Sequence, residues 1–408
     1  MKIKSIYVNN FKSLVNFKID LADFNCLVGL NGSGKSTFLQ FVSFLSQLMK
    51  GNMKGWLNRR GWEFTDCLSQ MKTDFNIEFR VDFVEDDNLC GSWEGTYQSI
   101  LLYCVKEKIS YNGVTIIVEN IDDNTRTFRL TENNVSLLES NIIFQYKGSI
   151  LSVLKHPIIS EKFDTLKSFI SGIEMCDLLS PDMLHQGSKV ESAESIGLKG
   201  ENLAAFLWKI GEEKCNKIVQ KLKPFYPQLE KIEIQDCNYV KPLIGNIKKE
   251  LFITESYKKQ QSDTVVNLVL ANHINDGLLR LIAFLAQLET KSQSLLFDEI
   301  ENGINTELID FLMKQLIEND KQIIVTTHSP MILNFIDDDI ARKGVHYFYK
   351  TQEGFTQSFP FFSISRIDKK LNVMGPGEAF VDTDLINLID EINVVKNKEQ
   401  PPRDKSIA

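Results

Sequence analysis

Residues Gly29-Leu30-Asn31-Gly32-Ser33-Gly34-Lys35-Ser36 spell a G-x-x-x-x-G-K-S loop. Glycines at this spacing let successive backbone N–H groups turn toward one anion, and a helix opening at the lysine adds its partial positive charge. The chemistry implied is phosphate binding. Lys35 would reach the β/γ-phosphates and Ser36 would ligate Mg²⁺, with Asn31, Gly32, Ser33, Gly34 and Thr37 completing the nucleotide-binding set.

Three further clusters gain meaning from that loop. Ser294-Leu295-Leu296-Phe297-Asp298-Glu299 reads as a buried strand ending in two acids, and ligands of doubly wound sheets bind beyond the carboxyl ends of the strands. Asp298 is then expected to hold Mg²⁺ and Glu299 to polarise the attacking water as the catalytic residue. Gln322 to Ser329 is a second apolar strand, ending at His328, whose imidazole could contact a γ-phosphate. Ile274-Asn275-Asp276-Gly277-Leu278 precedes a helix with Leu278, Leu281, Ile282, Leu285 and Leu288 on one side; Asn275 or Asp276 can cap it.

The elements that must position these groups follow from periodicity. Ile3/Ile6/Val8 and Phe17/Ile19/Leu21 alternate as two opening strands, and Asn25-Cys26-Leu27-Val28 is a third that runs into the glycine loop. Phe38, Leu39, Phe41, Val42, Leu45 and Leu48 recur at helical spacing, so strand, loop and helix come in the order that phosphate binding requires. From about 75 to 147, short alternating stretches separated by Asp/Asn/Gly turns predict an antiparallel β lobe. Residues 148–220 read as mostly helical, with one amphipathic run from Asn202 to Leu222 stopped by Pro224 and Pro227. Strand pieces return at Ile232-Glu233-Ile234, Leu251-Phe252-Ile253 and Val265 to Leu270. No sustained heptad run predicts a coiled-coil arm.

Bulk properties narrow the function classes. The formal charge of −8 supplies no overall positive field to draw nucleic acid or anionic lipid. The short lysine runs Lys248-Lys249, Lys258-Lys259 and Lys369-Lys370 read as solvated faces. Seven cysteines (Cys26, Cys67, Cys90, Cys104, Cys176, Cys215, Cys237), odd in number and without a C-x-x-C pair, argue against a disulfide framework or a zinc site. With no signal-like N-terminus and no apolar run of about 18 residues, a cytoplasmic chain without membrane contact is expected.

Taken together and in this order, the motifs resemble the ABC-type ATPases of the RecF/SMC branch, and more closely the small AAA-labelled, ABC-like ATPases of bacterial anti-phage defence operons. Val8-Asn9-Asn10-Phe11-Lys12-Ser13-Leu14 looks like that group's opening, and Ile274-Asn275-Asp276-Gly277-Leu278-Leu279-Arg280 is similar to its S-D-G-x-x-R signature. The resemblance implies an α/β fold: an ABC-type phosphate-loop head with a mixed sheet, an antiparallel β lobe, a helical signature lobe and no long coiled coil. It implies ATP and Mg²⁺ as ligands. Asn275, Asp276 and Gly277 of one subunit would meet the γ-phosphate held by the other, so that a homodimer closes around nucleotide, with higher oligomers open. Lys12 and Ser13 would lie near the base or ribose, and Gln145 is the candidate for the glutamine that contacts Mg²⁺. Two departures stand out: the signature serine is Asn275, and Asn305 replaces a common aspartate.

On this reading the chain divides into 1–74, the N-terminal part of the head with the phosphate loop; 75–147, the β lobe; 148–270, the helical lobe with connecting strands; 271–360, the signature, acid-pair and switch-histidine part; 361–395, a C-terminal docking element; and 396–408, a disordered tail. The expected function is an ATP-hydrolysing sensor of an anti-phage complex that controls a separate effector, a nuclease or toxin. The alternative is a RecF-like repair clamp that binds DNA in an ATP-dependent way. A transporter subunit fits poorly, because 241 residues separate Lys35 from Asp276. Asp382-Thr383-Asp384 resembles a Toprim D-x-D, but Glu378 lies too close before it and too little chain remains.

Overall fold

The computed structural model describes residues 1–120, 126–155, 161–177, 179–236, 248–258 and 264–399. The chain forms two units, one made of Met1–Phe41, Leu48–Phe163 and Thr326–Ala408, the other of Val42–Gln47 and Asp164–Val325.

In the first unit an eight-stranded antiparallel sheet has the order Phe17–Asp20, Lys2–Asn9, Asn76–Glu85, Asn88–Gln98, Tyr103–Tyr111, Val114–Asn120, Arg126–Glu132, Val135–Asn141. Alternation explains it: Ile77, Phe79, Val81 and Phe83 are buried while Glu78 and Arg80 face out, the period-2 pattern of a half-covered sheet. The expected division at residue 75 therefore falls inside one sheet, since Ile6 pairs with Val81 and Val8 with Phe79. Two sequence-distant strands were close enough in pattern to join, a pairing that local periodicity does not reveal.

A second ladder in this unit is mixed. Phe24–Val28, buried throughout, runs parallel to Val345–Lys350, which pairs antiparallel with Thr356–Pro360. Phe17, Phe38 and Phe348 pack with ring centroids 5.6 to 5.9 Å apart between the two sets of strands. This aromatic wedge seats the start of helix Lys35–Lys50 and so fixes the loop before it.

The second unit contains three parallel strands, Glu174–Cys176, Ser294–Phe297 and Gln322–Thr326, and an antiparallel set in which Lys248–Lys258 pairs with Ser188–Lys189, Leu229–Asp236 and Thr264–Leu270. The predicted single run from Asn202 to Leu222 is two helices, Leu203–Ile210 and Glu212–Leu222. Gly211 at φ +90° separates them, a conformation no helix interior accommodates. The expected tail likewise starts inside the helix Leu385–Glu399, whose buried Leu388 and Ile392 carry it past residue 396; residues 400–408 lie outside the described residues. The fold is α/β with parallel and antiparallel pairing, and the longest described helices, of 16 and 15 residues, are too short for a coiled-coil arm. No described helix is long and apolar enough to cross a membrane.

Candidate nucleotide site

Three glycines of the phosphate loop take positive φ: Gly29 at +145°, Gly32 at +77° and Gly34 at +104°. Space as well as conformation demands glycine at two of them. A Cβ on Gly34 would lie 2.1 Å from Thr356 Oγ1, and one on Gly29 would lie 2.2 Å from the Phe348 carbonyl oxygen. The helix begins at Lys35, so its N-terminal end opens at the loop.

Lys35 is only 4% exposed. Its ammonium folds back over the loop, donating to the carbonyls of Gly29 at 2.8 Å and Leu30 at 3.3 Å, with His328 Nδ1 at 3.5 Å. Ser33 Oγ is buried without a hydrogen-bond partner, and a Cβ on Gly32 would meet nothing within 4 Å. A positive lysine and an unspent hydroxyl beside a helix N-terminus form a donor set that matches the oxygens of a polyphosphate. Thr327 positions the exposed His328: its N–H donates to the Leu27 carbonyl at 3.2 Å, and its hydroxyl accepts from Ser329 N–H at 2.9 Å.

The Lys12-Ser13 segment is tied to the same loop. Thr356 Oγ1 donates to the Ser33 carbonyl at 2.8 Å and lies 2.8 Å from Ser13 Oγ, so Ser13 is the donor in that second bond. Lys12 Nζ stands 3.3 Å above the centroid of Trp62 and donates to Gln40 Oε1 at 3.1 Å. Burial, reinforced by Arg60 against the opposing pull of Cys67 and Asp66, lowers the Lys12 ammonium to about 8. Sequence reasoning missed Thr356, Gln40, Arg60 and Trp62. A half-exposed tryptophan beside Arg59-Arg60 was the one signal available, since aromatic and cationic side chains attract each other.

In the second unit, Asp298 follows the buried strand Ser294–Phe297, is 8% exposed and donates its N–H to the Cys176 carbonyl at 3.1 Å. Glu299 adopts φ +48°. Asn275 caps the helix Asp276–Leu288 by accepting from Leu278 N–H at 2.8 Å. Asp276 Oδ1 lies 2.8 Å from His185 Nε2, whose Nδ1 donates to the Ala271 carbonyl at 2.6 Å. Asn275 and Asp276 are exposed and open to an incoming group. Gln145 is exposed beside the buried Tyr146, and among the described residues its side chain makes no hydrogen bond to the phosphate loop.

Ser36 and Asp298 each carry a hard oxygen of the kind Mg²⁺ takes. Among the described residues no group of three or more His, Cys, Asp or Glu is arranged to hold a metal ion.

A family model described as an AAA ATPase domain matches residues 1–264. The chain belongs to that family. A second AAA-domain model, associated by its description with the AbiEii toxin and a type IV toxin–antitoxin system, matches residues 263–334 of this AAA ATPase-domain chain. No curated protein matches it. Among solved structures it is similar to the SMC head domain from Thermotoga maritima, at 13% identity and a TM-score of 0.44 over 88% of this chain and 99% of that one. An SMC head bound to the C-winged helix domain of ScpA gives 16% and 0.49 over 88% and 97%, and the recombination mediator protein RecF gives 15% and 0.43 over 88% and 98%.

Proposed function

We propose that this AAA ATPase-domain chain binds and hydrolyses ATP as an ABC-type switch, that two copies close head to head around nucleotide, and that the switch controls a separate effector in an anti-phage defence complex. The phosphate loop carries the reading: three positive-φ glycines, a first-turn helix N-terminus and the folded-back Lys35 form an anion cradle with no competing acid in the loop sequence.

The roles divide among this chain's residues. Asn31 to Thr37 hold the phosphates, with Lys35 released from its carbonyls to the β/γ-phosphates; Ser36, Asp298 and Gln145 are the metal positions; Lys12 and Ser13 face the base or ribose. Glu299 orients and deprotonates the attacking water, and His328, 3.5 Å from Lys35, senses the γ-phosphate. Mg²⁺, held at those metal positions, would supply positive charge to offset that developing on the phosphate. Asn275, Asp276 and Gly277 of a second copy complete the neutralisation, because their helix N-terminus and exposed amide present further donors. The resemblance of the signature and the toxin–antitoxin association of the second family match support the defence setting.

The test joins hydrolysis to assembly. Glu299→Gln is expected to bind ATP and lose most turnover, and light scattering should show it dimeric with ATP and monomeric without. Wild-type turnover in Glu299→Gln, or a mass that ignores ATP, would end this reading. Salt-dependent binding of duplex DNA by the ATP-bound dimer would shift it to the repair-clamp alternative.

A further inference from the structure

Glu299 sits at φ +48°, two residues past the end of the buried strand Ser294–Phe297. A non-glycine residue in the left-handed region persists only where its surroundings fix it. The turn that follows supplies the fixing: Asn302 N–H donates to the Glu299 carbonyl at 3.0 Å, and Asn302 Nδ2 lies 3.4 Å from Glu299 Oε2.

That turn is itself held from the helix Asp276–Leu288. Arg280, one turn past Asp276 and 6% exposed, donates from Nη1 to the Asn302 carbonyl at 2.5 Å. The next residue, Gly303, has φ +69°, and a Cβ there would lie 2.7 Å from Arg280 Nε. The guanidinium thus presses against the turn backbone at a point where only glycine fits. Burying a guanidinium is costly unless it is bonded. Its hydrogen bond goes to a backbone carbonyl, with the Asp276 carboxylate acting on it only through space, which suits holding a turn in shape.

We propose that Arg280 is the positioning residue of the hydrolytic site. It locks the turn 299–303 so that the Glu299 carboxylate keeps one orientation, and because it lies on the same helix one turn beyond Asn275-Asp276-Gly277, that orientation follows the seating of the signature loop. The inference rests on Glu299 acting as the base proposed above.

The experiment uses the full chain with Arg280→Met, which keeps an apolar stem without donors, and Arg280→Lys, which keeps one donor. Arg280→Met is expected to lower kcat about tenfold or more, since small misplacements of a catalytic group are that costly, with KM and analogue affinity within about twofold; Arg280→Lys should recover part of the loss. Combined with Glu299→Gln, Arg280→Met should cost nothing further, because both changes act through one carboxylate. A wild-type kcat in Arg280→Met, or the same fold-loss added to Glu299→Gln, overturns the proposal. Should Arg280→Met fail to fold, Gly303→Ala puts a Cβ 2.7 Å from Arg280 Nε and displaces the guanidinium from the turn; lost turnover at unchanged affinity supports the proposal and unchanged turnover overturns it. Full turnover in Glu299→Gln removes the base itself and this inference with it, whereas an impaired Glu299→Gln beside an indifferent Arg280→Met overturns this inference alone.

Discussion

Thr356 and Ser33, 323 residues apart, are joined by a hydrogen bond of 2.8 Å from a fully buried hydroxyl to a phosphate-loop carbonyl. The bond engages that carbonyl from the strand Thr356–Pro360 and so pins the loop backbone at Ser33. Ser13 donates to the same hydroxyl, so a single threonine anchors both the loop and the segment expected at the base or ribose.

Replacing Thr356 by valine keeps the shape and removes the bond. A hydrogen bond of this kind contributes about 1 kcal/mol net, so nucleotide affinity should fall roughly fivefold at little cost to folding, with Thr356→Ser restoring most of it. A fluorescent-nucleotide titration decides; equal affinity in the valine variant would show that the loop holds its shape without help.

Asn275, proposed above to belong to the loop that meets a second copy's nucleotide, caps its helix through Leu278 N–H. Asn275→Ser preserves a good cap, while Asn275→Ala costs about 1 kcal/mol of local stability. The expectation is that Asn275→Ser closes the nucleotide-bound dimer as the wild type does and Asn275→Ala closes it poorly, measured by light scattering with a non-hydrolysable analogue. Full closure in Asn275→Ala would deny the side chain any part in assembly.

Glu107 provides a pH signature. Burial raises its carboxyl from 4.5 to about 7, although it accepts from Trp93 Nε1 and Ile150 N–H, each at 2.8 Å. Below pH 4.5 it is protonated in folded and unfolded chains alike. As pH climbs toward about 7 the unfolded chain ionises first, so stability declines, by about 3 kcal/mol once above the folded value. Urea midpoints of wild type and Glu107→Gln should therefore diverge between pH 5 and pH 8, with the wild type losing ground. A gap that stays constant with pH would assign Glu107 an ionised state throughout.

The strand-loop-helix around Lys35, the acid pair after Phe297 and the cap at Asn275 were legible because each is a local pattern within about ten residues. Thr356 was not. Its role arises from the antiparallel return of Thr356–Pro360 along Val345–Lys350, and an isolated threonine near Gly354 carries no mark of that pairing. The same holds for the joining of Lys2–Asn9 to Asn76–Glu85: alternation specifies which face of a strand is buried but not which strand lies beside it. Gly211 was hidden for another reason: a single glycine inside an amphipathic run is compatible with one helix or with two.

The left-handed backbone at Glu299 sets durability against turnover. A glutamate there carries a conformational cost of about 1 kcal/mol or more that glycine or asparagine would largely escape. On the role proposed for Glu299, selection or engineering for heat resistance alone would drift toward those replacements and yield a sturdier chain that binds fuel and cannot spend it. Any stabilised version of this protein should therefore be screened by catalytic rate as well as by melting temperature.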